Sequence, residues 1–228
     1  MAPTVKHIYD LIAQGENLRL DFKFEISDAR KIAKTLSAFA NTCGGRLLVG
    51  VKDNGRIAGV KSDEEAYMID AAANIHSSPE IDYRIIPHLI EGKTILEVVI
   101  EEGRDKPYYA KVAELCDDGI RSERSIAYVR VADENIVASP VHLQLWRRRS
   151  GDDSLLIRYR QYEEMLMKHI AQRGSTTLSR LCRENRLNRH EAIKILAEFA
   201  YLGLISIEYR DGGFVFKIFP FGDGGWRV

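Results

Sequence analysis

Four arginines recur at every third position, Arg180, Arg183, Arg186 and Arg189, and Lys194 and Arg210 extend the basic series beyond them. Guanidinium groups at the start of a helix suit phosphate contact and two-pronged reading of guanine in a major groove, so this row has the chemistry of a nucleic-acid contact. Between Ser175 and Gly213 these six basic residues face five acidic ones, Glu184, Glu191, Glu198, Glu208 and Asp211. A phosphate contact therefore requires those acids to point elsewhere, and a dimerisation or protein-docking surface is the competing reading. A second charged set lies near the N-terminus, where Arg19 to Glu25 alternates strictly. As a strand it places Leu20, Phe22 and Phe24 toward a core and Asp21, Lys23 and Glu25 on the opposite, charged face. The plain reading of that face is a solvated surface with ion pairs, and that of Asp53-Asn54-Gly55 is turn chemistry.

Two different element grammars must position these residues. In the N-terminal part, Val5 to Gln14 has helical spacing and Gly15 stops it. Ser27 is the expected cap of a helix with Ile32, Ala33, Leu36, Phe39 and Ala40 inward. Arg46 to Val51 reads as a strand buried on both sides, returning through Asp53-Asn54-Gly55 along Arg56 to Val60 as a hairpin. Asp63 to His76 reads as a helix, and Ile81–Leu89 with Thr94–Ile100 as a second hairpin. Strands are expected near Tyr108–Val112 and Ser125–Val131, and Ser139-Pro140 opens a helix running to Arg149.

After Ser150-Gly151-Asp152-Asp153-Ser154, read as a linker, the pattern becomes helical. Tyr162–Arg173, Thr177–Asn185 and a helix capped by Asn188 precede two short strands, Leu204–Tyr209 and Phe214–Phe219. Three helices, a short turn between the second and third, and then a hairpin are the order of a winged helix-turn-helix. Expected domains are therefore an α/β (α+β) unit over 1–150 and a small winged-helix domain with its tail over 151–228.

Composition narrows the classes further. The 228 residues balance 33 basic against 33 acidic side chains, so any nucleic-acid reading rests on local patches rather than on a global field. Cys43, Cys116 and Cys182 are odd in number and far apart, which excludes a disulfide framework or a Cys-x-x-Cys zinc site and leaves reduced thiols. No apolar run is long enough to span a membrane and the N-terminus lacks a secretory pattern, so a cytoplasmic location without membrane contact is expected. Phosphate-loop, dinucleotide, zinc-protease and serine-hydrolase motifs are absent.

Gly15-Glu16, Asp21-Phe22-Lys23, Ser37-Ala38-Phe39-Ala40-Asn41-Thr42, Gly44-Gly45, Leu48-Val49-Gly50-Val51 and Asp53-Asn54-Gly55 follow one another along the chain. Together, in this order, they resemble the Schlafen AlbA-type domain. The resemblance is strong over residues 7 to 75 and looser to about 145. It implies an α/β fold and two functions. Bacterial members are regarded as DNA-binding regulators, often with a C-terminal winged helix, whereas animal members include RNA-cleaving enzymes with three carboxylates. The matching positions are Glu16, Asp21 and Asp53, with Asp21 standing where Glu is usual. Such a trio would hold Mg²⁺ or Mn²⁺ to activate water, with Lys23 on the phosphate.

The expected function is thus a DNA-binding transcriptional regulator, DNA being favoured over RNA, acting through Arg180, Arg183, Arg186, Arg189, Lys194 and Arg210 as a homodimer. The alternatives are a divalent-metal nuclease, and so a phosphodiesterase, built on Glu16, Asp21, Lys23 and Asp53, or a non-catalytic dimerisation scaffold.

Overall fold

In this computed structural model, residues 3–115, 121–149 and 160–219 are described, and the chain divides into two compact units after Val137. Helix α1, Pro3–Gln14, ends where Gly15 turns to a φ of 66°. Strands β1, Leu20–Lys23, and β2, Gly45–Val49, pair in parallel. A parallel pair needs a crossover, and helix α2, Ala29–Asn41, supplies it. Its N-cap is Asp28, whose carboxylate accepts from the Arg30 amide at 2.9 Å, rather than the expected Ser27. Helix α3, Glu64–Asp70, continues into a π-helical turn, Ala71–Ile75.

The two-residue strand β3, Ser77–Ser78, precedes β4, Tyr83–Ile90, and β5, Lys93–Ile100. The latter two form the expected second hairpin, turning at Glu91-Gly92 with both residues at positive φ. Strands β6, Tyr109–Leu115, and β7, Arg121–Val131, fall where expected, and β8, Glu134–Val137, is an addition. Two four-stranded sheets result, one in the order β1-β2-β5-β4 and the other β3-β6-β7-β8.

Strand alternation assigns the two faces of the first sheet. Leu20, Phe22, Leu48 and Ile95 pack with Ile8 of α1, while Leu47, Val49, Leu96 and Val98 pack with Leu36 and Phe39 of α2. The α2 core also takes in Ala110 of β6 and Tyr128 of β7. Both faces of β1 are consequently covered. Asp21 is only 3 % exposed, whereas Phe24, beyond the end of the strand, is 39 % exposed. The expected charged wall with Phe24 in the core is therefore reversed at both positions, because α2 and β7 cover the side chains at the Asp21 position.

The first expected hairpin is also corrected. Val51 and Ile57 form a single bridge, while Gly50 and Gly59, at φ 95° and 79°, bend the chain into a close approach that any Cβ would block. The strand β2 pairs with β1 and β5 instead.

The second unit contains α4, Pro140–Arg149, α5, Arg160–Arg173, α6, Leu178–Asn185, and α7, Arg189–Tyr201. Strands β9, Ile205–Arg210, and β10, Gly213–Ile218, follow as an antiparallel pair. Thr176 adds one bridge to Phe216, with both backbone bonds formed at 2.7 and 2.9 Å. Val141 and Leu145 of α4 share one core with Leu166, Ile170, Leu181, Leu196 and Phe216. This burial places α4 with the C-terminal unit, whereas the sequence pattern suggested a boundary near residue 150. The expected linker 150–154 and the tail from Phe221 lie outside the described residues, as does Cys116, while Cys43 and Cys182 are free thiols.

Candidate functional site

At β1, the parallel pairing with β2 and the loop after Gly15 bring Glu16, Asp21 and Lys23 together. One Glu16 oxygen, Oε1, accepts from the Phe22 amide at 2.8 Å. Burial, reinforced by the Asp21 charge, raises the Glu16 carboxyl above its ordinary range despite the opposing Phe22 amide and Lys23. Asp21 Oδ1 accepts from Arg130 Nη2 at 2.9 Å, while its buried Oδ2 lies 2.6 Å from Lys23 Nζ as an ion pair without a hydrogen bond of its own.

Arg130, from β7, is itself 1 % exposed at its side chain. It also donates to the Leu20 and Asn17 carbonyls and to Asn135 Oδ1, and its guanidinium stacks 5.1 Å from the Phe39 ring centre. Asn135 in turn donates to Thr35 on α2 at 2.9 Å. The Arg130 guanidinium thus sets a buried positive charge beside Asp21.

Asp53 lies on the exposed turn after β2. Among the described residues, no group of three or more His, Cys, Asp and Glu side chains is arranged to hold a metal ion. Of the residues expected to form a carboxylate site, the structure brings Glu16, Asp21 and Lys23 together at β1, with Asp53 on the turn that follows β2. Asp21 is locked in ion pairs inside the fold, and Lys23 is spent on Asp21 and on the Phe22 carbonyl.

The Ser37 to Thr42 motif is likewise structural. Asn41 Nδ2 donates to the Tyr108 and Tyr128 carbonyls at 2.7 and 2.9 Å, and its Oδ1 accepts from the Tyr108 amide at 2.8 Å. Ser37 Oγ donates to the Tyr108 carbonyl and accepts from the Tyr128 amide, and Thr42 Oγ1 accepts from the Arg130 amide at 2.8 Å. Polar groups at the end of α2 thereby satisfy backbone donors and acceptors of the second sheet that would otherwise be buried without partners.

Sequence reasoning missed a second buried carboxylate, Glu97 on β5. It is 2 % exposed and receives Arg46 Nε at 2.8 Å, His88 Nε2 at 2.8 Å and His7 Nε2 at 3.1 Å. Burial opposes its ionisation, but the hydrogen bonds from His7, His88 and Arg46 prevail and hold its carboxyl below the ordinary range. The signal was present, since Glu97 alone interrupts the apolar run of a strand with covered faces. Arg130 breaks the apolar run of β7 in the same way.

In the second unit, Arg180 and Arg183 lie on α6, Arg186 lies in the turn and Arg189 is the first residue of α7; all four are exposed. Arg186 adopts a left-handed φ of 54° and caps α6 through its amide to the Cys182 carbonyl. Asn188 caps α7, its side chain accepting from the Glu191 amide at 2.8 Å.

Most acids of this unit are internally committed. Glu184 pairs with Arg173 at 2.8 Å, and Glu208 pairs with Arg210 and Lys217 at 2.7 and 3.1 Å. Glu198 is 2 % exposed and bound by Arg148. Among the described residues Arg180, Arg186, Arg189 and Lys194 form no ion pair, and Arg183, 76 % exposed, touches only Glu184 at 3.9 Å. The expected contribution of Arg210 is weakened, because its guanidinium is already held by Glu208.

Among the described residues, no helix is long and apolar enough to cross a membrane. No curated protein matches the chain. Among solved structures, it is similar at 18 % identity and a TM-score of 0.44 to the DIP2311 protein from Corynebacterium diphtheriae, over 66 % of this chain and 33 % of that one. The chain thus spans about a third of the length of that protein. At 19 % identity and a TM-score of 0.37 it is similar to the N-terminal domain of a RecG-related protein from Nitrosomonas europaea, over 70 % of this chain and 97 % of that one. A family model described as "Schlafen, AlbA_2" matches residues 16–139. That span is more than half of the 228 residues and takes in the β1 ion-pair cluster and the α2 motif, so the chain belongs to the Schlafen AlbA_2 family.

Proposed function

We propose that this protein binds nucleic acid and acts as a DNA-binding transcriptional regulator. In this reading the second unit is a winged helix whose α6–α7 face lies against duplex phosphates. One observation carries it: the acids of this unit are mostly turned inward or paired, while Arg180, Arg186, Arg189 and Lys194 form no ion pair among the described residues and Arg183 reaches only Glu184, at 3.9 Å. The near-neutral balance read from sequence is therefore not the balance of that face. Glu191 and Asp211 are the two acids of the Ser175 to Gly213 window left exposed and without an ion pair among the described residues.

Membership in the Schlafen AlbA_2 family supports the nucleic-acid reading. The order of three helices and a hairpin supports placing the N-terminal turn of α7 in a groove. Arg189 and Lys194 would then lie at base edges and phosphates, with Arg180, Arg183 and Arg186 following the backbone.

Binding of a labelled duplex, measured against salt concentration, tests this reading. Each phosphate contact contributes about 0.9 to the slope of log affinity against log salt. The Arg183→Ala, Arg189→Ala double variant is expected to lower that slope by about 2 and to weaken binding at low salt at least about tenfold. Unchanged affinity and slope in the double variant would refute the assignment of this face.

A further inference from the structure

The two exposed, unpaired acids between Ser175 and Gly213 stand in different settings. Asp211 turns the β9–β10 hairpin at a φ of 50°, in the left-handed region where Asp is enriched. Glu191 lies in the first turn of α7, and its amide donates to the Asn188 side chain at 2.8 Å. Ala192, Ile195, Leu196 and Phe199 bury one side of that helix, and the three residues ahead of them, Arg189, His190 and Glu191, are all exposed.

Helix stability accounts for Glu191 in part, because a carboxylate in a first turn suits the helix dipole. A capping box would go further and fold that carboxylate back onto the Asn188 amide. Here, among the described residues, the carboxylate accepts no hydrogen bond. Lys194, three residues on and so a neighbour on the helix surface, does not pair with it. An acceptor-only group is thus left free beside basic side chains that are themselves unpaired.

We infer that Glu191 reads cytosine in the major groove, which makes the α6–α7 face selective for sites carrying C·G pairs. This rests on the proposed duplex contact of that face. Phosphates repel a carboxylate, so on a surface laid against a duplex a free acid finds a partner only among the amines on the groove floor. Two bases present an amine there, cytosine at N4 and adenine at N6. Adenine sets its N7 acceptor beside the amine, where it faces the second carboxylate oxygen unfavourably, whereas cytosine offers the groove its amine alone. Arg189, two residues earlier in the same turn, suits the O6 and N7 acceptors of guanine, so the two side chains match the two bases of C·G pairs.

Binding of the full chain to three labelled duplexes of equal length tests it. One is alternating G·C, one is alternating A·T, and the third is alternating G·C with an N4-methyl group on every cytosine, which keeps the pairing and puts a methyl where the groove-side N–H stood. At physiological salt the wild type is expected to bind the plain G·C duplex at least about tenfold more tightly than either of the others. Glu191→Gln keeps a good helix former in the turn and presents an amide that suits adenine N6 and N7. It should lower the G·C to A·T affinity ratio at least about tenfold and bind the plain and methylated G·C duplexes alike. Equal wild-type affinity for the plain and methylated duplexes, or one affinity ratio shared by wild type and Glu191→Gln, would overturn the cytosine assignment and leave the phosphate contact of the face standing. Absence of salt-dependent binding to all three duplexes would overturn both.

Discussion

Replacing Arg130 by alanine tests how the first unit is held together. The guanidinium is 1 % exposed and pairs with an Asp21 side chain that is 5 % exposed, so its removal strands a carboxylate in the interior. Breaking a buried pair by deleting one partner costs about 3–5 kcal/mol. Lys23 remains on Asp21 but is 37 % exposed, which holds the electrostatic loss near about 3 kcal/mol. Loss of the stack on Phe39 adds about 1 kcal/mol. A total of about 4 kcal/mol lowers the melting temperature of a unit this size by roughly 10 to 15 °C.

Chemical denaturation followed by far-UV circular dichroism measures the loss, and the double variant Asp21→Asn, Arg130→Met separates its causes. With the stranded charge gone and the Phe39 face refilled, the double variant should recover about half of the stability, a coupling well above about 1 kcal/mol. An Arg130→Ala variant within about 1 kcal/mol of wild type would refute the reasoning. So would a double variant whose loss is the plain sum of the single losses.

Three further outcomes follow from the same geometry. Asn41→Ala removes three bonds to the Tyr108 and Tyr128 backbones and should cost about 2–4 kcal/mol in the same denaturation assay, because buried backbone groups lose their partners. Burial lowers His142 from 6.5 to about 4, so the unfolded chain binds the extra proton first. Stability is then lost as pH falls from about 6.5 to about 4, by about 3 kcal/mol, and an acid titration of His142→Phe should show a flattened slope in that window. Glu97 has its carboxyl held below the ordinary range, so its contribution is present above pH about 4.5 and is lost as pH falls further. Replacing it by glutamine should remove that acid-side loss at the cost of lower stability at neutral pH.

Element types were largely legible in the sequence because they rest on local rules. The Asn188 cap, the Glu91-Gly92 turn and the apolar stripe of α2 each announce themselves within a few residues. Partnerships across long separations were not. Whether Asp21 faces water depends on Arg130, more than a hundred residues later, and on α2 lying between the two sheets. The family motif at Ser37 to Thr42 was visible, yet its role emerged only with the β6 and β7 backbones beside it. The hairpin expected after β2 failed for a local reason, since Gly50 and Gly59 at positive φ bend the chain out of a ladder that the apolar pattern alone would continue. In the second unit the count of charges was legible, but not their direction, because Glu198 turns inward only through Arg148.

The most direct test of the nucleic-acid reading is a map of backbone amide shifts in the full chain as a short duplex is added. The account predicts that the perturbed amides cluster at Arg180 to Lys194, covering α6, the turn and the first turns of α7, and that the changes fade as salt rises. Shifts confined to other surfaces, or none at duplex concentrations that saturate ordinary non-specific binders, would contradict it.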